Sequence, residues 1–412
     1  MKSISINLNK AIDPLILLLP VAYLLGSPFV NLILLIGSFF FIFNSIKYND
    51  WRWLKILWVR VFFVFWLYLI ITSLFSTDIF NAFRTSFSFI RFLLFSLLIS
   101  FYGFKNISFI KIINFWKLIL LLVLFDILIQ FIFDYNIIGL PKNGVRYSGF
   151  FGNELIAGSY IFKISAPIIG FLFYKIFVKS KNKIEFIYSV FFCILAFFIC
   201  LITGERMSFI LYSSSFLLTM ISILYFQKKI KNLLILLIST LFFVIILFNS
   251  SNVIKSRYYE LIDILKNIDQ SSYGKLFNSG YRLWYKNPII GVGVKNFRVE
   301  CDKQLIDIFP ENPSQLCSTH PHNLYLELLS ETGVIGTIIF IFLFFIYFRG
   351  LISKKIFDLS KKKNCILISC LISSLLMIWP LGTSGSFFTT WNGSYLWIQL
   401  GMMNYLLTEK NI

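Results

Sequence analysis

Long apolar runs separated by short polar punctuation recur along nearly the whole of this 412-residue chain. Runs such as Ile56–Leu74 and Leu233–Phe248 reach or approach the roughly 20 residues that carry a helix across a bilayer. The pattern gives about twelve such runs. The first five are Leu15–Leu25, Phe29–Ile46, Ile56–Leu74, Phe87–Tyr102 and Ile110–Phe133. Four more follow at Leu155–Val178, Ile184–Ile202, Met207–Phe226 and Leu233–Phe248. The last three are Val334–Phe348, Ile366–Pro380 and Tyr395–Leu407. The pattern therefore predicts an all-α, polytopic membrane protein. Only Gly26-Ser27-Pro28 parts the first two runs, which predicts a helical hairpin.

The loops between the runs sort by charge into two alternating sets. One set carries Lys2 and Lys10, then Lys47, Arg52 and Lys55, then Lys105 and Lys111. It continues with Lys175, Lys179, Lys181 and Lys183, then Lys228, Lys229 and Lys231, then Lys354, Lys355 and Lys361 to Lys363. The opposite short loops carry few cations: Arg84, Lys142, Arg146 and Arg206. Because Lys and Arg accumulate in cytoplasmic loops, the first set and both termini are expected inside. Arg60 and Arg91 fall about a turn inside their runs, where a long side chain reaches the interface. Residues 1–248 then form nine transmembrane helices, residues 249–321 one large outer loop, and residues 322–412 three more helices. Within the loop, Lys255–Asp263 and Leu276–Tyr285 have helical spacing, and Gly291, Gly293, Pro310 and Pro313 mark turns.

Composition agrees. The chain is 58% hydrophobic and only 14% charged, against about a quarter charged in soluble proteins. Its formal charge of +19 does not point to a nucleic-acid partner, because the cations form no single patch. They read instead as topogenic charge and attraction to anionic membrane lipid. Met1 to Lys10 is polar and no small-residue cleavage site follows, so the first helix is expected to be retained. Cys193, Cys200, Cys365 and Cys370 lie in or beside apolar runs and read as packing residues. Cys301 and Cys317 lie in the long loop, free to pair or not according to the compartment it faces.

Candidate chemistry collects in four polar segments on the outer side: Arg146 to Glu154, Thr203 to Ser208, Tyr281 to Gly293, and Leu316 to Thr337. The last holds both histidines of the protein, His320 and His322, with Glu327 and Glu331 behind them. An isolated interfacial arginine simply extends to the headgroups. Arg146, Arg206 and Arg282, however, fall on the same side as His322. Guanidinium groups grip phosphate oxygens bidentately and keep their charge, so a convergent set suits a diphosphate. Their charge would also favour a neutral imidazole at His322, able to take a proton as a general base. Asn323 and Glu327 are candidates to orient the ring, and Glu205 to pair with Arg206. His320-Pro321-His322 lacks a carboxylate at ligand spacing, so no metal and no other cofactor is expected.

The pattern His322-Asn323, nine residues, Gly333, two residues, Gly336-Thr337 resembles the signature of the O-antigen ligase and polymerase superfamily. Arg282-Leu283-Trp284 with Asn287-Pro288-Ile289-Ile290-Gly291-Val292-Gly293 resembles the stretch that precedes it there, and Gly204-Glu205-Arg206 the upstream arginine motif. Ligases often read Gly-Ser-Arg-Gly at that motif, where this chain has Gly-Glu-Arg-Met. The likeness spans roughly the C-terminal half of the chain. It implies a GT-C-like, metal-independent, inverting glycosyltransferase at the periplasmic face of the bacterial inner membrane. The implied donor is an undecaprenyl-diphosphate-linked O-antigen glycan, and the acceptor a hydroxyl of lipid A-core or of another glycan. Arg206 and Arg282 would hold the diphosphate and His322 would deprotonate the acceptor; Arg146 joins them on charge placement alone. Ligase and polymerase both fit these spacings, with His322-Asn323 to Gly336-Thr337 the fuller ligase signature. A flippase or transporter for the same lipid-linked glycan is the competing class, but no internal repeats are visible and Asp126 is the clearest acid inside a run.

Overall fold

Helices occupy the apolar runs wherever the chain is described. The structure is a computed structural model and describes residues 9–179, 182–229, 252–305, 317–352 and 356–408. The predicted run Leu233–Phe248 and the turn prolines Pro310 and Pro313 lie outside those residues. The chain opens with α1 (Asn9–Leu17), α2 (Leu19–Leu25) and α3 (Ser27–Lys47). It continues through α4 (Leu57–Ser73), α5 (Ile79–Ser88), α6 (Ile90–Tyr102) and α7 (Phe109–Phe133). Then come α8 (Ala157–Phe173), α9 (Lys183–Ile202) and α10 (Arg206–Phe226). The large loop contributes α11 (Asn252–Lys266), α12 (Ser272–Lys286) and α13 (Phe297–Leu305). The chain ends with α14 (Leu324–Ile352), α15 (Lys362–Met377) and α16 (Thr390–Thr408).

Seven of the described helical stretches are long and apolar enough to cross a membrane: Ser27–Lys47, Ile79–Tyr102, Phe109–Phe133, Ala157–Val178, Lys183–Ile202, Arg206–Phe226 and Leu324–Ile352. The remaining expected runs depart from a full span for local reasons. Leu15–Leu25 is divided between α1 and α2, with Pro20 in the first turn of α2. α4 and α15 have 17 and 16 residues. α16 carries Asn392, Gln399 and Asn404 along its length. Several helices also begin earlier than expected, most of all α5, which starts at the Asp78 cap rather than at Phe87, and α14, which starts at Leu324 rather than at Val334.

The bundle is held by aromatic packing between helices distant in sequence. α6 packs against α16 and α3, α8 against α15, and α4 against α14. Phe62 stacks on Phe89 at 5.8 Å between centroids, and Trp397 meets Phe62 edge-on at 5.0 Å. On the outside, Ile184, Ile187, Phe191 and Ile194 line one face of α9 at helical spacing and are exposed, as a lipid-facing helix requires. Arg91 does not reach the interface as its position in the run suggests. It is buried, donates to the Ser88 carbonyl and to Thr390 Oγ1 at 3.2 Å, and lies over the Phe92 ring.

The loop helices close over one end of the bundle. α12 turns Leu276 and Leu283 inward and leaves Tyr281 and Tyr285 exposed. At Gly280 there is no room for a side chain, since a Cβ would lie 2.9 Å from Pro321. Cys301 and Cys317 form a disulfide with their Cα atoms 5.7 Å apart. Leu283, Val292 and Phe297 make a small apolar cluster around it.

Candidate active site

His322 directly precedes Asn323, the residue that caps α14. Asn323 Oδ1 accepts the N–H groups of Tyr325 and Leu326 at 3.0 and 3.1 Å, two donors that a helix start otherwise leaves unpaired. Its Nδ2 donates to the carbonyls of Pro380 and Gly382. Asn323 is thus a cap and a tie to the loop between α15 and α16. Glu327 has the same second job: it takes the Ser386 hydroxyl and, at 2.8 Å, the Phe387 N–H. Both residues position the loop at 380–387 and bond to it rather than to the His322 ring.

The two histidines divide their roles. His320 is buried, with Nδ1 2.9 Å from Thr319 Oγ1 and Nε2 3.2 Å from the Ser384 carbonyl. A carbonyl only accepts, so Nε2 carries the hydrogen and the Thr319 hydroxyl donates to Nδ1. His322 adopts a left-handed backbone, φ +54°, uncommon for a residue with a side chain. Its carbonyl receives the Ser384 N–H at 2.8 Å. Its ring packs 4.1 Å from that of His320 and edge-on to Tyr273 at 6.0 Å. Burial, and then the His320 ring beside it, lowers the His322 pKa to about 4, partly offset by Glu327. His320 is lowered to about 4 as well, chiefly by burial. Burial and its histidine neighbour, not the arginines, are what favour the neutral imidazole.

Two glycines explain why His322 stands where it does. α14 breaks at Gly333, φ +65° and ψ −172°, which frees backbone groups on both sides. Val292 and Gly293 donate to the Ser330 and Glu331 carbonyls, each at 2.9 Å, and Val334 donates to the Pro288 carbonyl at 2.9 Å. The backbones approach so closely that a Cβ on Gly333 would lie 2.2 Å from the Ile289 oxygen, and one on Gly291 2.5 Å from the Glu331 carbonyl carbon. The buried Glu331 carboxylate completes the joint by accepting the Lys295 N–H at 2.8 Å and the Phe297 N–H at 3.4 Å. The Pro288 to Phe297 segment is therefore clamped onto the first turns of α14.

A cavity of about 810 Å³ opens beside this joint. His322, Arg146 and Arg206 all line it, with Glu154, Glu205 and Lys163. Apolar wall is supplied by Leu24, Phe162, Trp391 and Leu396. Arg206 forms an ion pair with Glu260 of α11 at 3.4 Å, not with its neighbour Glu205. Glu205 instead caps α8, accepting from the N–H groups of Gly158 and Ser159 at 2.6 and 3.1 Å and from the Ser208 hydroxyl at 2.9 Å. Burial raises its pKa to about 7 against those hydrogen bonds and the Arg146 charge. Arg146 packs over Gly204, where a Cβ would stand 3.2 Å from its Cγ. Arg282 is not part of the wall: it lies on α12, bonded through Nε to Asn278 Oδ1 at 3.1 Å, while Tyr273 and Phe277 of the same helix do line the cavity. Sequence reasoning passed over Lys163 and the loop at 380–387. Lys163 is masked inside an apolar run; the loop shows only as a cluster of small polar residues, Gly382 to Ser386. Among the described residues no three His, Cys, Asp or Glu side chains gather as metal ligands.

Residues 191–341 match the O-antigen ligase family. The matched stretch runs from α9 across the cap residue Glu205 and Arg206, through the clamped glycine segment, and past the break in α14. It contains the Arg206, Arg282 and His322 motifs and supports the resemblance to the O-antigen ligase and polymerase superfamily. The apolar helices are those of a membrane protein, and over this stretch the chain is similar to the O-antigen ligase family. No curated protein matches the chain.

Proposed function

We propose that this protein transfers a glycan from an undecaprenyl-diphosphate-linked donor to a hydroxyl group, at the periplasmic face of the inner membrane and without a metal. The observation that carries this reading is the meeting of an uncharged imidazole, His322, with the cations Arg146 and Arg206 on one cavity that also has an apolar wall. The acceptor oxygen attacks the anomeric carbon while His322 takes its proton. The bond from that carbon to the phosphate oxygen breaks, and undecaprenyl diphosphate leaves with the electron pair. Attack opposite the leaving group inverts the anomeric centre. Arg146 and Arg206 stabilise the charge that gathers on the diphosphate, and the fixed cavity supplies orientation. Arg206 must exchange Glu260 for phosphate oxygens in this scheme. Arg282 reaches the donor in it by a movement of α12, whose Tyr273 already touches the His322 ring.

The test is product analysis by mass spectrometry, using purified wild type, Arg206→Ala, Arg282→Ala and His322→Ala with the lipid-linked donor. Loss of a general base should slow transfer by about 10²–10⁴. Undiminished transfer in His322→Ala removes the mechanism, and movement of donor across a bilayer with no glycosidic bond formed makes the protein a transporter. Lipopolysaccharide gels of a deletion strain separate the two enzymatic forms. Free core with long lipid-linked chains indicates a ligase, and a single repeat on the core indicates a polymerase.

A further inference from the structure

The inner end of the cavity holds a cation that none of the three motifs accounts for. Lys163 lies on α8, six residues beyond Ala157 and so about 9 Å along the axis from the mouth. It is buried, only 6% exposed, and cannot extend to headgroups as an interfacial lysine does. Its ammonium has three protons to donate. Among the described residues it makes one hydrogen bond, 2.9 Å to Asn392 Oδ1, and stands 3.8 Å from the centre of the Trp391 ring. It forms no ion pair with any described carboxylate. Glu205, the acid nearest in role, is committed to capping α8. An ammonium held out of water is poorly compensated by one amide oxygen and one ring face. Beyond that bond no described group accepts its remaining protons, and an anion entering the cavity would accept them and hold the amine charged.

We propose that Lys163 binds the phosphate of the donor that lies next to its lipid chain. The inference rests on the transferase reading above. Arg206 begins α10 and Arg146 lies in the loop between α7 and α8, while Lys163 lies within α8, and all three line the same cavity as Phe162, Leu24 and Leu396. Two arginines, a lysine within the helix and apolar side chains on one cavity match a diphosphate joined to a hydrocarbon chain. Lys163 is then a binding residue for the leaving group, fixing how deep the lipid sits and so where the anomeric carbon falls.

The experiment measures binding to the protein in nanodiscs, with undecaprenyl diphosphate, undecaprenol and phosphatidylglycerol as separate probes. Wild type should prefer the diphosphate to the alcohol. Lys163→Met should weaken diphosphate binding by about ten- to a hundredfold, the size of one charge-assisted hydrogen bond, and leave undecaprenol unchanged. Lys163→Arg should restore most of it. An unchanged ratio of diphosphate to alcohol affinity in Lys163→Met overturns the proposal. Equal loss of phosphatidylglycerol and diphosphate binding overturns the assignment to the donor, because the site then takes any headgroup phosphate. Undecaprenol affinity reports whether the variant is folded; should Lys163→Met fail, Lys163→Gln removes the charge and keeps a donor for Asn392. Lipid phosphate within about 3 Å of Nζ in a complex of the wild type is the check that needs no variant. In the transfer assay Lys163→Met should raise KM for the donor more than it lowers kcat. Wild-type KM in that variant defeats this inference and spares the transferase reading. Binding that depends on Lys163 in a wild type that forms no product does the reverse.

Discussion

Three titratable groups at the site, His320, His322 and Glu205, make its pH response calculable in sign. His320 and His322 both titrate near 4, below the ordinary value of about 6.5, so between those values the unfolded chain binds more protons than the folded one. Stability therefore falls as the pH drops from about 6.5 towards 4. Glu205 acts oppositely. Its pKa is raised to about 7, so what it contributes is fully present at low pH and is lost as the pH rises from about 4.5 through 7. Thermal unfolding of the solubilised protein should show a flatter acid limb in His320→Gln than in wild type. Glu205→Gln should gain on wild type as the pH rises through the carboxyl window. Parallel curves for all three proteins would mean that these groups are solvated. At this scale the sequence was legible in part. His322 and Arg206 stand out in the sequence as a histidine and an arginine among phenylalanines, and both line the cavity. What the sequence hid was pairing: Glu205 adjoins Arg206 in the chain, yet backbone N–H groups at the start of α8 claim it and Glu260 takes the arginine.

At the scale of elements the site depends on a backbone joint rather than on side-chain packing. The break in α14 at Gly333 and the left-handed Gly291 and Gly293 let two stretches of main chain pair at close range. Alanine at Gly333 combines a φ of +65° with a Cβ 2.2 Å from a carbonyl oxygen. It should lower unfolding free energy by about 2–4 kcal/mol and release the segment that carries Lys295. A wild-type melting temperature in Gly333→Ala would show that the joint is not holding the two stretches together. Asn323→Ala removes a cap worth about 1 kcal/mol and frees the Pro380 and Gly382 carbonyls, so it should loosen the 380–387 loop and reduce transfer with little loss of helix. Hydrophobic periodicity located most of the described helices, because an apolar run has few other options in a membrane. It missed the first turns of α14, because Leu324 to Thr332 mixes polar residues that face the loop with apolar ones that face the bundle. The glycines were visible as motif positions, but main-chain pairing across forty residues leaves no side-chain pattern to read.

For the whole molecule the open variable is orientation, and two unrelated physical arguments bear on it. Charge asymmetry of the loops argues for the cation-rich set inside and the His322 end outside. The disulfide speaks to the same end by a different route, since such a bond persists in oxidising compartments and not in the cytoplasm. Cys301 and Cys317 are joined there, while Cys193, Cys200, Cys365 and Cys370 are buried as free thiols in the bundle. Closing a loop of this length stabilises by roughly 3 kcal/mol in the chain-entropy picture, so replacing both with serine should lower the melting temperature without touching the cavity. On intact spheroplasts a membrane-impermeant maleimide should label neither cysteine in the native protein. After treatment with an impermeant phosphine it should label Cys317, which is partly exposed, before Cys301, which is enclosed. Labelling without reduction would remove the disulfide, and with it the second argument. Labelling after reduction only once the membrane is opened would turn the molecule over, placing the cavity and its cations in the cytoplasm, where the positive-inside pattern would then be the argument to abandon.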